Sequence, residues 1–233
     1  MTSINKYPLK ISYITKSAIW GGTKLKTDWG KVSDLDCVAE SWELSVREKE
    51  MATILNGEYS EMTLGEYIKV CGNDSVSDVY DGGRFPLLIK YIDACDKLSV
   101  QVHPDDVYAG EVENDSGKTE MWYIVDAAEG AEIIYGIKES VSESDFEKAV
   151  RQGNIDSVLE HHPVKAGETY FIPSGMLHAI GAGIVIAEIQ QNSDLTYRVY
   201  DYERRQKDGS LRELHVAKSI DVTRKFTEEE INA

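Results

Sequence analysis

Residues 167–183 read GETYFIPSGMLHAIGAG, and the fold turns on how this stretch is read. An apolar run ends at a Pro173–Gly175 corner, and His178 follows it, with Gly181 close behind. Taken alone, the stretch is a turn in an all-β protein. A lone histidine on a strand is more often structural than a ligand. Whether His178 does chemistry depends on what the rest of the chain can bring to it.

Neighbouring segments carry the same β signal. KLSVQVHP (97–104) alternates Leu98, Val100 and Val102 against Ser99, Gln101 and His103, so Gln101 and His103 share one face of a strand. GKTEMWYIVDAAEGAEIIYGI (117–137) reads as two strands around a turn, and RFPLLIKYI (84–92) as a fully buried strand from Pro86 to Ile92. VKAGETYFIP and GIVIAEIQQNSDLTYRVYDY (183–202) return to strands. Helical signal is confined to two places. EMTLGEYIKVCG (61–72) predicts a short helix stopped by Gly72. SESDFEKAVRQGNIDSVLEHHPV (142–164) predicts a helix capped by Ser142 or Ser144, interrupted at Gly153, then a second short helix ending at Pro163. That reading puts His161 and His162 at a helix end, on the surface; Asp105 and Asp106 cap a turn after Pro104. Strands dominate and helices do not alternate with them, which predicts a mainly β sandwich or barrel with small helical insertions. Neither an internal repeat nor a linker divides residues 1–233, so a single unit is expected.

Composition narrows the function classes. The 233 residues are 42% hydrophobic and 28% charged, an ordinary globular balance. A formal charge of −16 opposes binding to nucleic acid or to an anionic membrane. If the substrate is an anion, a local cationic pocket must override that field. Cys37, Cys71 and Cys95 are odd in number and lack CxxC spacing, as free thiols in a reducing compartment are. The opening MTSINKYPLK has no apolar core of a leader, and no stretch is long enough to span a bilayer, so a cytoplasmic protein is expected.

Four residues belong together: Gln101, His103, Glu120 and His178. Two donors on one strand face, joined by a carboxylate and an imidazole from elsewhere, make a mixed N/O site. Such a site suits zinc or another divalent first-row ion with positions left open.

GETYFIPSGMLH fits G-x5-P-x-G-x2-H without a gap and resembles the second motif of the cupin superfamily, whose usual terminal Asn is Ala182 here. The resemblance implies a cupin-type jelly-roll β-barrel, with the helical insertion at about 143–162. Together with LSVQVHPDD, GKTEMWYIV, the early WGG and ESWELS, and IPSGMLHAIGAGIVIAEIQQNSDLTYRVYDY, the chain resembles the type I mannose-6-phosphate isomerases, closest to the short bacterial forms, over about residues 9–226. That likeness implies zinc, one per chain, held by His103, Glu120 and His178, with Gln101 as a fourth or weaker ligand. It implies interconversion of mannose 6-phosphate and fructose 6-phosphate. It assigns Arg198 and Lys118 as catalytic groups and Ser99 on the phosphate side. Lys90, inside an apolar run, is expected to be paired or to face the site and bind substrate. Family members continue beyond the match into a further C-terminal β-domain, expected here to be absent or truncated.

The chemistry is consistent with these residues. Aldose–ketose isomerisation moves a proton between C1 and C2 through a cis-enediol(ate), which a Lewis acid and a nearby cation stabilise. Blander roles stay open: Arg198 pairing with Asp194 or Asp201, and Lys118 as a loop charge. His215 matches no site. A metal-bearing cupin that binds a sugar phosphate without turnover, and a cupin oxidoreductase, are the competing functions. A monomer or homodimer, with no nucleic-acid or membrane partner, completes the expectation.

Overall fold

A computed structural model of the chain describes residues 7–206 and 208–232. The first six residues of MTSINKYPLK, read above for a leader, lie outside it. In chain order the elements are β1 (Ile14–Lys16), α1 (Lys24–Thr27), β2 (Glu40–Leu44), the small pair β3 (Val46–Arg47) and β4 (Glu50–Met51), α2 (Leu64–Cys71), β5 (Leu87–Ala94), β6 (Val100–Val102), α3 (Asp106–Glu113), β7 (Glu120–Ala127), β8 (Glu132–Ile137), α4 (Glu143–Gln152), β9 (Leu159–Pro163), β10 (Thr169–Ile172), β11 (His178–Ile180), β12 (Ile184–Gln191), β13 (Tyr197–Tyr200), α5 (Val216–Val222) and α6 (Glu228–Asn232). Six strands form one sheet in the order β1-β2-β5-β12-β7-β10, and five form another in the order β13-β6-β11-β8-β9. The strand pairings within both sheets are antiparallel. The expected mainly β, jelly-roll architecture is therefore the observed one. Among the described residues, no helix is long and apolar enough to cross a membrane.

Alternation along the strands explains the layering. Ile92, Trp122, Ile124, Ile184 and Ile186 of the first sheet meet Ile133 and Ile180 of the second in a shared interior. On the opposite face of the second sheet, Val100, Val102, Ala179, Tyr197 and Val199 pack under Phe146, Ala149 and Val150 of α4 and Val222 of α5. Because Val100 and Val102 face those helices, Gln101 and His103 face the interior between the sheets.

Register then lines up the polar residues. Across β5, β12 and β7, Lys90 stands opposite Glu188, and Glu188 opposite Trp122. Across β13, β6 and β11, Arg198 stands opposite Gln101, and Gln101 opposite His178. Neighbouring strands lie about 4.8 Å apart, so each row brings its side chains into contact range.

Several local expectations need correction. No second helix runs to Pro163: a short 3-10 turn over Ile155–Val158 is followed by strand β9, so the helical part of the insertion ends before residue 159. β-Branched and aromatic neighbours on β8 capture this segment, and His161 sits on a strand with its Nδ1 2.6 Å from Glu132 Oε1. Asp105 caps a helix rather than a turn, accepting from Tyr108 N at 2.9 Å. β5 is not buried on both faces, since Leu87 is exposed and Ile89 and Tyr91 are only half-buried. The two expected helices are present: α2 stops at Gly72 and is further held at its start by a Thr63–Glu66 capping box, and Ser142 caps α4.

Candidate metal centre and adjoining cavity

The Pro173–Gly175 corner delivers His178 as expected. Met176 N donates to the Pro173 carbonyl at 3.0 Å, and Gly175 N donates to the His103 carbonyl at 2.8 Å, tying the corner to the end of β6. Gly175 adopts φ +87°, which favours glycine. Gly181 serves a different purpose: a Cβ there would sit 2.0 Å from the Glu132 carbonyl oxygen, so only glycine lets β8 and β11 come this close.

His103, Glu120 and His178 converge, their candidate ligand atoms all within 4.8 Å of one another. Each is 1% exposed or less. The His103 Nδ1–H donates to the Leu195 carbonyl at 2.7 Å, and the His178 Nδ1–H to the Met176 carbonyl at 2.8 Å. A carbonyl can only accept, so each imidazole keeps its bare Nε2 for the cluster. His103 Nε2 lies 3.2 Å from Glu120 Oε1, and His178 Nε2 lies 3.7 Å from Glu120 Oε2. Those spacings approach the ~3.3 Å edge of a tetrahedron built on ~2.0–2.1 Å bonds.

Electrostatics favour a cation among these atoms. Burial, with the Lys118 charge beside it, pushes the His103 imidazole down to about 3, and burial also lowers His178. Both rings are therefore neutral lone-pair donors at pH 7. Burial opposes ionisation of Glu120, but the charges of Lys118 and the imidazoles outweigh it and hold the carboxyl well below its ordinary range. Glu120 Oε1 lies 2.5 Å from Lys118 Nζ, yet it accepts no well-directed hydrogen bond. Two unprotonated imidazole nitrogens and a carboxylate, buried together with the Lys118 ammonium 3.3 Å from His103 Nε2, make a donor set that fits a divalent metal. Gln101 stands beside them with its Nε2 3.3 Å from His178 Nε2, and half a turn of the amide would put its oxygen there instead.

A cavity of about 330 Å³ adjoins the cluster, with Gln101 and Lys118 in its wall, a size suited to a small ligand. Lys90, Lys118, Arg198 and Arg212 line it, against the carboxylates Glu40, Glu188 and Asp194. In a chain of net charge −16, this is the local cationic excess an anionic substrate needs. Ser99 is buried in the same wall. Lys90 Nζ lies 2.9 Å from Glu188 and 3.6 Å from Glu40, so it is both paired and facing the site. Burial disfavours its charge, but Glu188 and Glu40 outweigh burial and raise the ammonium above its ordinary value.

Arg198 pairs with neither aspartate considered for it. Asp194 binds Arg47 at 2.9 Å, and Asp201 is taken by Arg204 and Arg212. The Arg198 Nε is buried without a partner among the described residues, and Nη1 donates to the Glu213 carbonyl at 2.9 Å. Lys118 lies in the loop just before β7, yet its side chain is a buried member of the cluster rather than a solvated charge. His215 also gains a role: its Nδ1 accepts from Arg198 N at 3.1 Å.

Glu188 and Glu40 escaped the sequence reading. The Trp122 indole N–H is shared between Glu120 Oε2 at 3.1 Å and Glu188 Oε2 at 2.9 Å, coupling the cluster to Lys90. Burial and the Glu120 charge raise the Glu188 carboxyl, with Lys90 opposing. The available signal was a single acid at an inward position of IVIAEI; Glu40 carried none.

The phosphomannose isomerase type I catalytic-domain family matches residues 9–149. A mannose-6-phosphate isomerase of Streptococcus mutans serotype c is 44% identical over 219 residues, covering 92% of this chain and 67% of that protein. The mannose-6-phosphate isomerase ManA of Bacillus subtilis (strain 168) is 43% identical over 216 residues, again covering 92% of this chain and 67% of the relative. The chain thus spans about two thirds of their length. A crystal structure of the Bacillus subtilis mannose 6-phosphate isomerase superposes with a TM-score of 0.88 at 40% identity, covering 94% of this chain and 69% of that one.

Proposed function

Because the chain belongs to the type I phosphomannose isomerase family, we infer that it is an aldose–ketose isomerase that interconverts mannose 6-phosphate and fructose 6-phosphate. The observation that carries the reading is the buried His103–Glu120–His178 cluster beside a cavity walled by Lys90, Lys118, Arg198 and Arg212.

One divalent ion, zinc or another first-row metal, would be held by His103, Glu120 and His178, with Gln101 as an additional ligand. Bound there, it supplies a positive centre that polarises the substrate oxygens and favours the enediolate. The remaining work falls to the chain. Lys118, at the cavity wall with Nζ against Glu120, holds or passes the proton that travels between C1 and C2. Apart from the Nη1 bond to the Glu213 carbonyl, Arg198 keeps its donors for charge that develops on the substrate oxygens, because no carboxylate among the described residues pairs with it. Ser99 orients the substrate. Lys90, ion-paired with Glu188 and close to Glu40, keeps a positive charge at the cavity wall that contributes to binding the substrate. Residues 1–233 act as one catalytic unit in the cytoplasm, as a monomer or homodimer.

The test is a coupled assay of fructose 6-phosphate formation from mannose 6-phosphate, on metal-stripped and zinc-reloaded protein. Activity should vanish on stripping and return on reloading. Metal-loaded protein that forms no fructose 6-phosphate refutes the isomerase reading.

A further inference from the structure

Resting on the reading of this cavity as a sugar-phosphate site, we propose that Arg212 binds the substrate's phosphate group and sets the preference for phosphorylated sugars. In a hexose 6-phosphate the reacting carbons and the phosphate stand at opposite ends, so the cavity needs a cation away from the metal donors. The strand order β11-β6-β13 places His178, Gln101 and Arg198 in one row, with two strand widths, about 10 Å, between the first and the last. β13 is the edge strand, and residues 213–215 lie along it: His215 N donates to the Arg198 carbonyl at 2.8 Å. Arg212 immediately precedes this segment and reaches the cavity wall from beyond Arg198.

The guanidinium is fixed in advance. Asp201, 5% exposed, accepts from Arg212 Nε at 2.7 Å and from its Nη2, a two-point grip that holds the planar fork. Arg212 Nη1 has no partner among the described residues. Arg204 Nη2, 2.5 Å from Asp201 Oδ1, helps neutralise that carboxylate, and Asp194 is taken up by Arg47. Arg198 and Arg212 therefore face one cavity with a net positive charge between them. Burial, and then the Arg212 charge, lowers the Arg198 guanidinium below its ordinary value, a like-charge strain that a phosphate dianion would relieve.

The experiment is calorimetric binding of mannose 6-phosphate, and separately of inorganic phosphate, to the whole chain and three variants. Arg212→Gln should weaken both ligands roughly 10- to 100-fold, the loss expected of charge-assisted hydrogen bonds. Arg205→Gln removes the same charge from the same segment, but that side chain is exposed and donates to the Gly209 carbonyl at 2.8 Å. It should stay within about threefold of wild type, since exposed charges are screened. Should Arg212→Gln fail to fold, Arg212→Lys carries the test and should weaken binding by roughly threefold or more, because an ammonium cannot reproduce the fork. Unchanged affinity in the folded Arg212 variants overturns the proposal. So does an equal loss in Arg205→Gln, or wild-type protein that binds neither ligand. Binding that follows the expected pattern without turnover would remove the isomerase reading and leave Arg212 in place.

Discussion

Arg198→Ala separates catalysis from structure because the native contacts of this side chain are few. The substitution removes one hydrogen bond, from Nη1 to the Glu213 carbonyl, worth about 1 kcal/mol of stability. It orphans no carboxylate, since Asp194 and Asp201 have other partners. The backbone link between Arg198 and His215 survives, as both its bonds use main-chain atoms of residue 198. The fold and the metal site should therefore persist. Turnover should not. A preorganised donor that acts on developing charge is worth about 10²–10³ in rate, or about 2.7–4 kcal/mol. Initial rates of fructose 6-phosphate formation, with elemental analysis of the same samples, should show kcat down by at least about two orders of magnitude and zinc retained. Near-wild-type turnover in a zinc-loaded Arg198→Ala protein would refute the reasoning, and lost zinc would place Arg198 among the structural supports of the metal site.

Four further outcomes follow from the same geometry. His178→Ala removes a buried Nε2 donor, so elemental analysis should find most of the metal gone; stoichiometric metal in that variant contradicts the cluster. Mannose 6-phosphate should have a far higher kcat/KM than free mannose, since the cavity concentrates positive charge in an acidic chain; equal efficiency would exclude a phosphate site. Gly181→Ala drives a Cβ onto the Glu132 carbonyl, and thermal or denaturant unfolding should show a loss of about 1–3 kcal/mol. Burial opposes ionisation of Asp201, but Arg212 and Arg204 outweigh it and hold its carboxyl below the ordinary value. A depressed folded value contributes stability that is full above the unfolded pKa of about 3.9 and lost as pH falls through the folded one. The stability gap between wild type and Asp201→Asn should thus be widest near neutrality and close at strongly acidic pH; a gap independent of pH would remove the charge from the argument.

Much of the site is legible in one dimension because its logic is local. Alternation in KLSVQVHP already puts Gln101 and His103 on one face, and the stretch from Gly167 to His178 matches the second cupin motif, a resemblance that implies the corner aiming the imidazole inward. Capping chemistry likewise placed α2 and α4. Where neighbours on other strands decide, sequence reading failed. LEHHP looked like the end of a helix and became β9 because β8 offered it a ladder of backbone partners. Glu188 looked like one acid in an apolar strand, and only antiparallel register set it between Lys90 and Trp122. Arg198 had two aspartates within a few residues, yet Arg47, Arg204 and Arg212 claimed them and left its donors for the cavity. Sequence by itself determined which side chains share a face, since that follows from a period of two along each strand, while the packing of helices on Val100 and Val102 decided which face is the interior. Tertiary structure decided which inward side chains meet, because contacts between residues dozens of positions apart depend on strand order and register, which no local periodicity contains.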